Sequence, residues 1–226
     1  KGLPLQTIRD AVALGVTDVG ENRVQEAKEK RRALGSGLNA ELGIRNSESK
    51  IIPHSAFHTP HWRWHLIGHL QRNKAKDAVA LFDVIHSVDS LALADELERQ
   101  AAKRVQGSRL EVQGKEIFVQ VNISGEATKH GCALDEAFDL AQRVRQHPHL
   151  RLRGLMTIAP FVEDLEVPRR CFRQLRELRN QVAATLNLEP STLNLSMGMS
   201  HDFEVAIEEG ADVVRIGTAI FKEVSQ

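Results

Sequence analysis

The chain has 226 residues, and its 30 Lys+Arg balance 30 Asp+Glu, so the formal charge is zero. That balance gives no electrostatic footprint for nucleic acid or an anionic membrane, and no apolar run approaches the ~18 residues of a membrane span. Cys132 and Cys171 stand apart without CxxC spacing, which fits a reduced, cytoplasmic protein.

In chain order, Leu5–Leu14 has helical spacing and ends at Gly15 as a C-cap. Val16–Val19 reads as a strand that runs into Gly20-Glu21-Asn22, and Arg23–Leu34 as a charged amphipathic helix. Gly35–Trp62 is rich in Gly, Ser, Asn and Pro and reads as a long loop. Arg63–Ile67 is a strand, Arg72–Leu81 a helix, Val84–Val88 a strand and Ser90–Val105 a helix, followed by a turn at Gly107–Gly114. Ile117–Ile123 has strong β propensity. Helix Leu134–Gln146 stops before Pro148, and Leu152–Ile158 is a strand followed by Pro160 and the long helix Leu165–Leu186. Two short apolar strands close the pattern, Thr192–Leu195 and Val213–Ile216, with helix Asp202–Glu209 between them and a last helix from about Ala219.

Alternating strands and helices argue for a parallel sheet. Seven strands after an opening helix give a (β/α)8 TIM-type barrel, one domain over 1–226, with its first strand expected upstream of Lys1. A doubly wound sheet would carry a Gly-rich turn after its first strand, and none is present. The active face of such a barrel lies at the C-terminal ends of the strands, and the loops after the last two often hold a phosphate. Those loops carry Ser200 and Gly217-Thr218. Backbone N–H groups at strand-to-helix turns can hold an anion, although Gly198 and Gly217 also read as plain turn glycines. A lysine together with a phosphate cup suggests pyridoxal phosphate, which needs an amine, a cup and a partner for its ring nitrogen. Lys1 can supply the amine and Arg215 can face the ring nitrogen, where a second positive charge would keep that nitrogen unprotonated. A loose terminal lysine is the other reading of Lys1.

The residues also carry a resemblance. Gly20-Glu21-Asn22-Arg23-Val24-Gln25-Glu26, Trp64–Lys74, Gly154-Leu155-Met156-Thr157-Ile158, Leu195–Ser200 with Asp202, and Val214–Phe221 resemble five motifs, in order, of the pyridoxal phosphate homeostasis protein family. The likeness runs from Lys1 to about Phe221. It implies a barrel like the barrel domain of alanine racemase, usually monomeric. It also implies bound pyridoxal phosphate and a role in vitamin B6, amino-acid and keto-acid balance without established turnover, with pyridoxal-phosphate-dependent apo-enzymes as possible recipients of the cofactor. By that resemblance Lys1 is the Schiff-base lysine, Ser200, Gly217 and Thr218 hold the phosphate, Arg215 faces the ring nitrogen, and Asn22 and Met156 are pocket walls. The serine that precedes the family's lysine is not in this sequence.

The rival reading is an amino-acid racemase of the alanine racemase barrel type. Such enzymes use a lysine and a tyrosine as two bases, and this chain has no Tyr; His69 is a conceivable substitute. His54, His58, His61, His65 and His69 invite a metal reading by their i, i+4 spacing. Pro53 and Pro60 interrupt the segment and Arg63–Ile67 reads as strand, so no helix supports the ligand geometry; a loop with surface histidines is the reading and no metal site is expected. Lys129-His130-Gly131 is read as a helix-entry turn. The arginines from Arg143 to Arg179 are read as solvated helix faces rather than a nucleic-acid surface.

Overall fold

The structure is a computed structural model that describes residues 3–41, 62–106, 114–126 and 128–221. In these residues strands and helices alternate as α1 Leu5–Ala13, β1 Asp18–Glu21, α2 Val24–Glu41, β2 Arg63–Leu66, α3 Ala75–Leu81, β3 Val84–Val88, α4 Leu91–Gln106, β4 Lys115–Gln120, α5 Glu136–Gln146, β5 Leu150–Met156, α6 Glu166–Thr185, β6 Asn194–Met199, α7 Phe203–Glu208, β7 Val213–Arg215 and α8 Thr218–Phe221. Each strand pairs in parallel with the next in sequence, in the order β1 to β7. Parallel neighbours need a crossover, and the helices supply it.

The sheet curls into a near-closed barrel. His86 on β3 bonds to Ser196 on β6 at 2.9 Å, although three strand spacings across a flat sheet would put them roughly 14 Å apart. Among the described residues, β1 and β7 end the sheet order and do not pair with each other. Alternation along the strands separates two apolar zones. Ile117 and Val119 of β4 pack with Leu97, Ala141 and Phe172 of the surrounding helices. Phe118, between them, points the other way and joins Val84, Met156 and Val213 in a small layer inside the barrel. All five residues of β3 are buried, as expected for a parallel strand covered on both faces. Phe172 and Leu175 of α6 are fully buried, and each such side chain stabilises the fold by roughly 2–3 kcal/mol.

Several boundaries differ from the sequence reading. Helix α2 continues through Gly35 and Gly37 to Glu41. Glycine weakens a helix but, unlike proline, keeps its N–H donor, and residues 42–61 of the expected loop lie outside the described residues. The expected strand over Thr192–Leu195 is displaced: Pro190–Thr192 forms a 3-10 turn and β6 runs Asn194–Met199. Ser196 and Gly198 are poor strand formers, yet pairing with β5 and β7 extends the strand through them. Gly198 has φ +92, and a Cβ there would stand 2.6 Å from the Cβ of Ala206, so this kink admits only glycine without a backbone shift. Strand β5 starts earlier than expected and stops at Met156. The turn at Gly107–Gly114 falls mostly on residues 107–113, which are not described.

The arginines of α6 are tied to the next helix. Arg169 reaches Glu208 at 2.6 Å, and Arg173 and Arg176 reach Glu209 at 2.8 and 3.1 Å. Glu208 is exposed while Glu209 is buried, so Arg173 and Arg176 neutralise a carboxylate held beneath them rather than standing as free solvated charges. None of the described helices is long and apolar enough to cross a membrane.

Candidate functional site

A cavity of about 1230 Å³ reaches from the loops at the C-terminal ends of the strands, along β1 and β7, to the opposite end of the barrel. Asn22, Ser200, Arg215, Gly217 and Thr218 all line it. Residues as far apart in sequence as Asn22 and Ser200 meet there, because parallel strands deliver all their C-terminal ends to one face. Lys1 lies outside the described residues. Met156, expected as a wall, does not line the cavity; it is fully buried in the layer beneath, against Phe118 and Val84. It ends β5 with its side chain turned into that packed layer.

The two last loops are joined through one hydroxyl. Ser200 Oγ accepts from the Gly217 N–H at 3.0 Å and the Ala219 N–H at 3.3 Å. Asp202, buried behind, accepts from the Met199 N–H at 2.6 Å and holds the turn after β6. A Cβ built on Gly217 meets no protein atom within 4 Å, so the backbone there faces open space that a ligand group can fill. On the β1–β2 side, a Cβ on Gly68 would lie 2.2 Å from the Asn22 carbonyl oxygen. The Gly68 loop therefore packs against the backbone that presents Asn22.

Arg215 closes β7 and is buried. Its Nη1 donates to Ser196 Oγ at 2.8 Å and its Nη2 to the Thr157 carbonyl at 2.7 Å. Burial lowers its pKa from 12.5 to about 10, partly offset by the Asp202 carboxylate, so it remains a cation at neutral pH. A guanidinium has five N–H donors, and these two bonds leave others for a ligand. Those remaining donors are available to an acceptor group of a ligand in the cavity.

The sequence reading missed the polar interior beneath this site. His65 on β2 and His86 on β3 face into the barrel and bond to each other at 2.9 Å. His86 is one of two polar residues, with Ser87, in the otherwise apolar strand Val84-Ile85-His86-Ser87-Val88, and that was the available signal. His65 lies in β2, within the strand expected over Arg63–Ile67, and faces inward rather than lying on the surface, while His54, His58 and His61 lie outside the described residues. His69 approaches Asp89 and His130, with ligand atoms within 4.8 Å of one another. The His69 and His130 rings stack at 3.8 Å and 8°. Nitrogen lone pairs lie in the ring planes, so two stacked imidazoles do not point at a common ion, and this is not a preformed metal centre. His130 sits in the β4–α5 loop, several residues before the helix starts at Glu136. Burial pushes the Cys132 thiol up to about 12, which removes it as a nucleophile.

The family of the alanine racemase N-terminal domain matches residues 1–224. A pyridoxal phosphate homeostasis protein of Aquifex aeolicus is 39% identical over 225 residues, covering 99% of this chain and 84% of its own. The protein of that name from Pseudomonas aeruginosa is 40% identical over 221 residues, covering 98% and 80%. This chain belongs to the pyridoxal phosphate homeostasis protein family. Among solved structures, PipY of Synechococcus elongatus with PLP bound aligns with a TM-score of 0.74 and 33% identity, over 98% of this chain and 89% of PipY. An alanine racemase of Clostridium difficile aligns with a TM-score of 0.64 at 13% identity, over 98% of this chain and 51% of the racemase. At that identity the likeness shows the barrel fold alone. The homeostasis family and the racemases thus share a TIM-type barrel, and within it this chain stands with the homeostasis proteins.

Proposed function

We propose that this chain binds pyridoxal 5'-phosphate and acts in intracellular vitamin B6 homeostasis. The observation that carries this is the cavity bounded by Asn22, Ser200, Arg215, Gly217 and Thr218 in a chain 33% identical to a PLP-bound relative. When bound, the cofactor supplies an aldehyde that couples to a lysine amine and a ring that withdraws electrons. Ser200 and the backbone of Gly217 and Thr218 hold the phosphate. Arg215 holds the ring nitrogen unprotonated, because two cations at short range repel. Such a ring withdraws electrons weakly, which suits a carrier better than a catalyst. Lys1 provides the amine, and Asn22 bounds the ring from the β1 side.

In this reading the protein has no catalytic turnover, works as a monomer in the cytoplasm and exchanges its cofactor with pyridoxal-phosphate-dependent apo-enzymes. The absence of Tyr in the sequence speaks against the two-base racemase chemistry. The test is to add pyridoxal phosphate, record the visible absorbance, reduce with borohydride and locate the adduct by peptide mass spectrometry. An adduct on the Lys1 side chain is expected. No visible band, or an adduct scattered over surface lysines, overturns the reading.

A further inference from the structure

Arg215 is one end of a hydrogen-bonded chain that crosses the barrel. Its Nη1 meets Ser196 Oγ at 2.8 Å, and that oxygen meets His86 Nδ1 at 2.9 Å. His86 Nε2 meets His65 Nδ1 at 2.9 Å, and His65 Nε2 meets Asp18 Oδ1 at 2.7 Å. Asp18 opens β1, at the opposite end of the barrel from the loops of Ser200 and Gly217.

With neutral imidazoles, one placement of the protons satisfies every contact. An ionised carboxylate only accepts, so His65 carries its hydrogen on Nε2. Its Nδ1 is then an acceptor, and His86 Nε2 must donate to it. His86 Nδ1 becomes an acceptor in turn, so the Ser196 hydroxyl donates there and receives from Arg215, which has donors only. The two ends demand the same direction independently. A proton added to His65 would turn its link to His86 around. Ser196 would then receive from both sides, and its own hydrogen would lose its acceptor.

The surroundings favour the neutral rings. Phe118 stacks on His86 at 4.3 Å and 11°. Burial lowers the pKa of both imidazoles, that of His86 well below 6.5. The charges facing His65 are Asp18, Asp83 and Arg63; those facing His86 are Arg63 and Arg215, with His65 beside it; Asp202 faces Arg215.

We propose that Asp18 is a positioning residue for Arg215, acting through His65, His86 and Ser196 by reinforcing, from the far end, the direction that Arg215 also demands of every hydrogen bond between them. Its effect on the cofactor rests on the binding reading above; the chain of hydrogen bonds does not.

The test uses the cofactor-free protein with 15N-labelled histidine and reads the imidazole tautomers by NMR. In the wild type, both His65 and His86 should show an unprotonated Nδ1 and a protonated Nε2. Asp18→Ala should give both rings a measurable share of the other tautomer. Asp18→Asn, whose amide can accept or donate, should fall between Asp18→Ala and wild type. A protonated Nδ1 on His86 in the wild type, or an Asp18→Ala spectrum identical to wild type, overturns the proposal. Asp18 is half exposed, so these variants keep the packed core. In a second arm, Asp18→Ala should raise the Kd for pyridoxal phosphate about fivefold, the scale of one net hydrogen bond, with Asp18→Asn between that variant and wild type. A shifted tautomer with unchanged Kd would overturn the positioning of Arg215. Wild type that binds no pyridoxal phosphate would refute the binding reading alone, and the tautomers would still decide the proposal.

Discussion

Mild acid should destabilise this protein through its buried histidines. Burial holds the folded pKa of His86 well below 6.5 and lowers that of His65 as well. The unfolded chain therefore takes up protons first as pH falls, so stability is full above 6.5 and is lost below it, towards the folded pKa values. If His86 stays neutral in the fold, the loss between about pH 7.5 and pH 5.5 is about 1.4 kcal/mol. His65 adds up to the same again, so the fall should be about 1–3 kcal/mol. The Asp18 carboxyl is raised by burial, but bonds from Thr17 and His65 outweigh this and bring it below 3.8, which puts its own loss outside this window. The assay is urea unfolding of the cofactor-free protein at both pH values, for wild type and His86→Gln. The variant should lose about 1.4 kcal/mol less than wild type on acidification. Stability that is flat or rising as pH falls, or an equal fall in the variant, refutes the reasoning.

Three other substitutions probe the frame of the site. Gly68→Ala forces a methyl group against the Asn22 carbonyl and should cost about 1–3 kcal/mol of stability, with weaker pyridoxal phosphate binding by absorbance titration; wild-type stability would show that the β1 and β2 loops part freely. Phe118→Ala empties the layer under His86 and should cost about 3–5 kcal/mol in urea unfolding. Asp212 accepts from the Leu195 N–H at 2.7 Å while its own N–H donates to the Leu195 carbonyl at 3.0 Å. Asp212→Ala should cost about 1–3 kcal/mol and leave cofactor affinity near wild type, since this clamp sits at the far end of β6.

Much of the architecture was legible because it is written in local pattern. Alternating apolar strands and amphipathic helices gave the parallel barrel, and β3 fell on the same residues in both readings. The resemblance placed Asn22, Ser200, Arg215, Gly217 and Thr218 at one site, and the structure brings these five around one cavity. Met156 shows the limit of such reasoning. Its position at the end of β5 is a sequence property, but the face on which its side chain packs depends on the strand register, which shifts within the β4–β5 pairing.

Boundaries failed where tertiary pairing overrides propensity. Ser196 and Gly198 read as loop, yet they continue β6 because β5 and β7 flank them. The interior chain from Asp18 to Arg215 was beyond local pattern altogether. His86 and Ser196 are 110 residues apart, and only the curvature of the near-closed sheet brings them to hydrogen-bond distance. The sequence by itself determined the order of elements and the motifs at the strand ends, because propensity and periodicity act over a few residues. The tertiary structure decided which polar side chains meet inside the barrel, because that depends on register and closure, to which every strand contributes.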